Sequence, residues 1–128
     1  MSNKEAILTP HAPQPIGPYS QAIRAGTLLF CSGQIGLDPI SGAVAAPDVE
    51  GQAVQVLKNL KALVEAGGGT LEQVVKTTIF LKSMNDFPKV NEIYGSYFKG
   101  VTPARSTIEV ARLPKDVLVE IEAIVSLG

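Results

Sequence analysis

An α+β fold is predicted for this chain, a mixed β-sheet with two helices packed on one face, and three observations carry the prediction. Two segments, Val49 to Ala66 and a shorter one beginning near Asn85, repeat apolar residues every three and four positions. Apolar or β-branched runs of strand length surround them, at 22–25, 28–32, 74–81, 104–110 and 117–125. The size permits one domain over residues 1–128: a chain of 128 residues, 45% hydrophobic, buries roughly two-thirds of its unfolded surface and needs no metal or disulfide staple.

Pro10, Pro13, Pro15 and Pro18 lock φ and remove backbone donors, so residues 10 to 18 form an extended arm rather than a central strand. Ala22 to Ala25, a turn at Gly26-Thr27 and Leu28 to Ser32 read as a hairpin, and Gly33 at its end marks a bulge or a place where a ligand approaches backbone closely. Leu37 to Pro47 is loop. In the first helix Ala53, Val56, Leu57, Leu60, Leu63 and Val64 form the apolar stripe, Asp48 is the N-cap and Gly67-Gly68-Gly69 the stop. Thr70 and Gln73 resemble a capping box for one turn before the β-branched strand Val74 to Leu81. The second helix has Pro88 in its first turn, carries Phe87, Val90, Tyr94, Tyr97 and Phe98 on one stripe, and ends near Gly100.

Alternation sorts the faces of the last two strands. Ser106, Ile108 and Val110 share one face of the first, and Arg105, Thr107 and Glu109 the other, which is taken as opposite the core. In the second, Val117, Val119, Ile121, Ala123 and Val125 should lie under the helices, leaving Leu118, Glu120, Glu122 and Ile124 outside. A face mixing acids with large aliphatics suits neither a dry core nor an ordinary solvated surface and suggests cover by another subunit. The expected order is three strands, helix, strand, helix, strand, strand.

Composition excludes several function classes. His11 and Cys31 are the only residues of their kinds, too few for a Cys/His metal site, and one Cys permits no internal disulfide, which fits a reducing compartment. Met1 to Pro13 has no apolar leader core and no run approaches the ~18 residues of a membrane span, so a cytoplasmic protein without membrane partners is expected. Eleven basic residues against twelve acidic ones give a net charge of −1 and no basic field for nucleic acid. Anion recognition is sought at Arg24, Arg105 and Arg112, whose planar guanidinium clamps carboxylate or phosphate.

Arg105 reads either as a surface residue paired with Glu109 or as a clamp for a small carboxylate. Glu120, between Val119 and Ile121, is either an edge carboxylate or, if an interface shields it, a tuned group able to orient or deprotonate water; burial would raise its pKa and Arg105 lower it. Glu122 competes for that role. Asn91 lies on or beside the apolar stripe of the second helix, and Tyr19 follows the arm with a hydroxyl able to reach a ligand. Cys31 reads as a buried inert thiol, His11 as an exposed loop residue, and Gly67-Gly68-Gly69, lacking a following Lys-Ser/Thr, as no phosphate loop. Alone, these residues indicate a small-anion site at an oligomer interface and name no reaction.

Gly17-Pro18-Tyr19-Ser20-Gln21-Ala22, Ser32-Gly33-Gln34-Ile35, Val75 to Leu81, Asn85-Asp86-Phe87 with Val90-Asn91, Pro103-Ala104-Arg105-Ser106, Leu113-Pro114 and Val119 to Ala123 together resemble the RidA/YjgF family of imine and enamine deaminases, in register from about residue 5 onward. The most specific element is Pro-Ala-Arg-Ser followed, at strand-turn-strand distance, by Glu-Ile-Glu. The resemblance implies a homotrimer of chorismate-mutase-like fold, a trimeric barrel whose sheets face inward, with helices outside and three clefts between subunits. It implies hydrolysis of 2-iminobutanoate and 2-iminopropanoate, tautomers of enamines released by pyridoxal-phosphate-dependent dehydratases, to 2-oxo acids and ammonia.

On that resemblance Arg105 would bind the substrate carboxylate, Glu120 would orient or activate water, and Tyr19 and Asn91 would line the cleft. Ser32 and Gly33 would add polar and backbone contacts. Several family members have Cys where this chain has Thr107, and the backbone there would contact ligand or water. No cofactor and no metal are implied, because a protonated imine is already an electrophile. The partners implied are small 2-imino and 2-oxo carboxylates and further copies of the chain. The alternatives are a carboxylate binder without catalysis, or a chaperone, ribonuclease or translation-inhibitor type of stress protein on the same fold.

Overall fold

Lys4–Ile7 (β1), Ala22–Ala25 (β2) and Leu28–Ile35 (β3) form an antiparallel meander at one side of a six-stranded sheet, in a computed structural model that describes residues 3–128. The first two residues of the stretch read above as leaderless lie outside the described residues. The first of the three expected strands carries no pattern that places it in the sequence; it precedes the proline arm, which itself takes no strand structure. Gly26 turns the β2–β3 hairpin at φ +62°, where a side chain would be strained.

Val49–Ala66 is helix α1, with the predicted bounds, and the Asp48 carboxylate caps it by accepting from the Gly51 N–H at 3.0 Å. The six apolar stripe residues of α1 are all fully buried. Burial of each such side chain is worth roughly 1.5–3 kcal/mol, so tertiary packing holds this helix more than propensity does. At its end Gly67 keeps right-handed geometry and Gly68 takes the positive φ, +92°. Gly67 is required for another reason: a Cβ there would lie 2.9 Å from a Leu29 methyl and closer still to the other. After one turn, in which Gln73 Oε1 accepts from the Thr70 N–H at 3.0 Å, Val74–Leu81 forms β4 as predicted.

Phe87–Tyr97 is α2, preceded by a 3-10 turn at Met84–Asp86 and ending three residues short of Gly100. Ala104–Glu109 is β5 and Val119–Ser126 is β6. Between them Lys115 and Asp116 both take left-handed backbone, φ 55° and 54°, with the Arg112 guanidinium donating to both Asp116 oxygens at 2.7 and 3.2 Å.

The strand order is β1-β2-β3-β6-β4-β5, antiparallel throughout except for the β4–β5 pair, so the sheet is mixed as expected. α1 packs on β3, β6 and α2, and both helices cover one face. Val117, Val119, Ile121, Ala123 and Val125 lie under them at 3% exposure or less, as the alternation predicts. The other face shows Leu28, Phe30 and Ile108 at 39, 42 and 45% exposure beside Glu122 and Lys76. Among the described residues no helix is long and apolar enough to cross a membrane.

One face assignment is corrected. Arg105 is not opposite the core but on the helix side of β5, because β5 runs parallel to β4 with Arg105 beside Thr77 and Thr107 beside Ile79, both fully buried, and Thr77 bonds to Tyr94 of α2. Paired residues in neighbouring strands share a face. The face shared by Ser106 and Ile108 is the outer one instead.

Candidate active site

The bulge predicted at Gly33 is present. The β3–β6 register shifts between Cys31 and Gln34, and β3 then continues to Ile35 instead of stopping at Ser32. The irregularity lays the Gly33 backbone against the Glu120 side chain: a Cβ on Gly33 would sit 2.9 Å from the Glu120 carboxyl carbon and overlap its Oε2. Only glycine leaves the carboxylate its place. Ser32 is fixed beside it, its backbone N–H donating to Gln21 O at 2.9 Å and its hydroxyl to Ser20 O at 2.6 Å.

Tyr19, 51% exposed, stands across from these groups at the end of the arm, and together with Ser32, Gly33, Glu120 and Pro114 it lines a cleft of about 340 Å³. Glu120 is half-buried. Burial pushes its carboxyl above the ordinary glutamate range, and the charge of Glu122 adds to the rise. Within one chain the Arg105 charge does not act on it, and the lowering expected of Arg105 belongs to the interface between copies. Glu122 itself is exposed and paired with Thr78 across the β6–β4 ladder, so Glu120 is the carboxylate in the cleft.

Arg105 lies elsewhere. Its Nη1 donates to Asn91 Oδ1 at 2.8 Å, and its guanidinium carbon sits 5.0 Å from the ring centroid of Tyr94 and 5.4 Å from that of Phe87. The Tyr94 hydroxyl shares a buried 2.7 Å hydrogen bond with Thr77 Oγ1, and its ring lies 4.5 Å from that of Phe98. Burial pushes the Tyr94 phenol up, opposed by the Thr77 bond and by the Arg105 charge. The pairing of Arg105 with Glu109 is absent: Glu109 Oε1 accepts from the Met84 N–H at 2.9 Å. Arg105, Asn91 and Tyr94 line a second hollow, with Pro103 at its rim.

The predicted site residues therefore fall into two groups. Tyr19, Ser32, Gly33 and Glu120 share the first cleft, Arg105 and Asn91 the second, and one chain does not bring the groups together. Thr107 lies next to Arg105 on the same face of β5, with a buried hydroxyl that finds no hydrogen-bond partner. Tyr94 and Phe87 were read only as packing residues, although helical spacing from Asn91 was the signal that could have joined them to Arg105. His11 is exposed in the arm and Cys31 is buried, its thiol pushed up to about 12 by burial, which matches their reading as an exposed loop residue and a buried thiol.

The family model described as Endoribonuclease L-PSP matches residues 9–127. A RutC family protein of Pyrococcus horikoshii is 57% identical, over 94% of this chain and 96% of that protein. The 2-iminobutanoate/2-iminopropanoate deaminase of Salmonella typhimurium is 52% identical, over 94% of this chain and 95% of that enzyme. The crystal structure of the YjgF gene product from E. coli superposes with a TM-score of 0.93 at 48% identity, covering 97% of this chain and 99% of that one. Sequence and fold agree, and the chain belongs to the RidA/YjgF family, whose family model bears the description endoribonuclease L-PSP.

Proposed function

We propose that this protein hydrolyses small 2-imino acids, 2-iminobutanoate and 2-iminopropanoate, to 2-oxo acids and ammonia, in clefts completed between copies of a single domain in a homotrimer. The observation that carries the reading is the Gly33–Glu120 contact, which holds a half-buried carboxylate with a raised pKa beside Ser32 and Tyr19. A carboxylate tuned toward neutral pH is suited to take a proton from water. Relatives of about half-identical sequence bear the deaminase name.

The substrate carboxylate pairs with Arg105, held ready by Asn91 and the two aromatic rings. Glu120 accepts a proton as a water oxygen bonds to C2 of the protonated imine, whose C=N electron pair moves to nitrogen. Protonated Glu120 then returns that proton to the carbinolamine nitrogen, the C–N bond breaks to release ammonia, and the hydroxyl proton passes to that ammonia as the C=O bond forms. The products are a 2-oxo acid and ammonium. Ser32, with its hydroxyl hydrogen committed to Ser20 O, offers lone pairs to the iminium N–H or to the water. Thr107 adds a contact near the carboxylate end.

A second copy is required because Arg105 and Glu120 face away from each other, and the exposed Leu28, Phe30 and Ile108 face supports such an assembly. The test is the rate of imine loss in a coupled dehydratase assay. Acceleration by the wild type, strongly reduced in Arg105→Ala, is expected; no acceleration, or full activity in Arg105→Ala, overturns the reading. Light scattering should return three times the chain mass at micromolar concentration. RNA cleavage sensitive to Glu120→Gln, with no imine turnover, would favour the endoribonuclease description instead.

A further inference from the structure

We propose that Gln21 is a positioning residue of the Glu120 cleft: its buried side-chain amide pins the arm at Thr9–Pro13, and through the arm it sets the size of substrate side chain that the cleft admits. The inference rests on the reading of that cleft as the imino-acid site.

The arm has no strand partner, and Pro10, Pro13 and Pro15 have no N–H with which to hold it. Gln21 supplies what is missing. Its Oε1 accepts from the Thr9 N–H at 2.7 Å, while its Nε2 donates to Pro13 O at 2.9 Å, Thr9 O at 3.0 Å and Ala12 O at 3.2 Å. The side chain is 2% exposed, so water does not stand in for these bonds. Ala12, fully buried, seats the arm in the core. Beyond it Pro13, Gln14, Ile16 and Tyr19 of the arm line the cleft together with Ser32, Gly33, Glu120 and Gln21 itself. The backbone carbonyl of Gln21 accepts from Ser32 N–H at 2.9 Å, so one residue ties both walls of the cleft to a single point.

The head group must be an amide of this length. Glutamate keeps the acceptor but turns a carboxylate toward three carbonyl oxygens, methionine keeps the shape without either function, and asparagine is one methylene short. A wall held this way acts on binding and size selection more than on the proton transfer at Glu120.

Gln21→Met and Gln21→Glu test it, with 2-iminopropanoate and a bulky aromatic 2-imino acid as substrates. KM for 2-iminopropanoate should rise about tenfold while kcat falls no more than about threefold, and the preference for one size over the other should shrink toward unity. Hydrogen exchange at the Thr9 amide should be slow in the wild type and faster by about two orders of magnitude in Gln21→Met. Wild-type KM and size preference in a variant whose Thr9 amide is freed overturn the proposal, as does a fall in kcat at constant KM. If Gln21→Met fails to fold, the wild type decides: Thr9 exchanging like an unstructured peptide is equally fatal. If the wild type hydrolyses no imine, the reading of the reaction fails by itself. Thr9 exchange and the affinities of 2-oxo acids of increasing side-chain size then still decide whether the pinned arm selects by size.

Discussion

Arg105 and Glu120 point through opposite faces of one sheet: Arg105 pairs in register with buried Thr77, and Glu120 pairs with Phe80, whose side chain is on the other side of β4. No side-chain motion within one chain brings the guanidinium to the carboxylate. The consequence is a complementation experiment. Arg105→Ala removes a charge-assisted hydrogen bond of about 1.5–3 kcal/mol, so kcat/KM should fall roughly 10- to 150-fold. The impaired Arg105→Ala and Glu120→Gln chains, unfolded and refolded together, should regain part of the wild-type rate beyond the sum of their own, because some mixed clefts then hold one intact group of each kind. Mixtures no more active than that sum would show that both residues act from the same chain.

The raised pKa of Glu120 has two readouts. In activity, the acidic limb, where the rate falls as the Glu120 carboxylate takes up a proton, should lie above the ordinary glutamate range and disappear in Glu120→Gln. In stability the sign is fixed by linkage: a carboxyl whose folded pKa exceeds its unfolded one favours the folded state at low pH, and that contribution is lost as pH rises through the folded value. Wild-type stability should therefore decline from the ordinary glutamate pKa upward relative to Glu120→Gln. Denaturant melts of both proteins across that range check it, and parallel curves would contradict the burial of the carboxyl.

Gly33→Ala separates function from folding. The added methyl overlaps the end of a flexible side chain rather than backbone, so the Glu120 carboxylate swings aside and the fold remains, with stability changed by about 1 kcal/mol or less. The rate should fall by roughly two to four orders of magnitude, the usual worth of a positioned base. Gly36→Ala is the contrast. Its Cβ would meet the Gln52 backbone carbonyl at 2.9 Å, an overlap that costs about 1–3 kcal/mol and lowers the melting temperature.

Thr77 and Tyr94 support Arg105 from below. Thr77→Val leaves the Tyr94 hydroxyl buried without its 2.7 Å partner, at a cost of about 1–3 kcal/mol, and Tyr94→Phe strands the Thr77 hydroxyl similarly. The pair Thr77→Val with Tyr94→Phe should cost less than the sum of the two single changes. A thermal-melt double-mutant cycle measures the coupling, and additive effects would show that the bond does no work in the fold.

The helices and the strands under them were legible because their burial is one-sided and their periods are strong. α1 and β4 were placed to the residue. Three features were harder to read for distinct reasons. β5 is an edge strand with one neighbour, so which of its faces is covered depends on α2 and not on its own alternation, and Arg105 was assigned to the wrong side. β3 passes through a bulge, where a period of two breaks, and it was ended at Ser32 although it runs to Ile35. The anchoring role of Gln21 involves partners 8 to 12 residues away, in an arm with no periodicity at all. The site residues named from the motifs all line the two clefts or, for Thr107, adjoin one, but their division between two faces required the sheet order.

Cys31 gives the protein an internal clock. Cys31 is 6% exposed, its thiol is pushed up to about 12, and it lies in β3 among the core residues on the helix-covered face. As the single cysteine of the chain, it reacts with an alkylating reagent at a rate set by how often the core comes apart. Labelling followed by mass measurement thus reads the opening frequency of the native protein without added probes, under the same buffer and substrate conditions as catalysis.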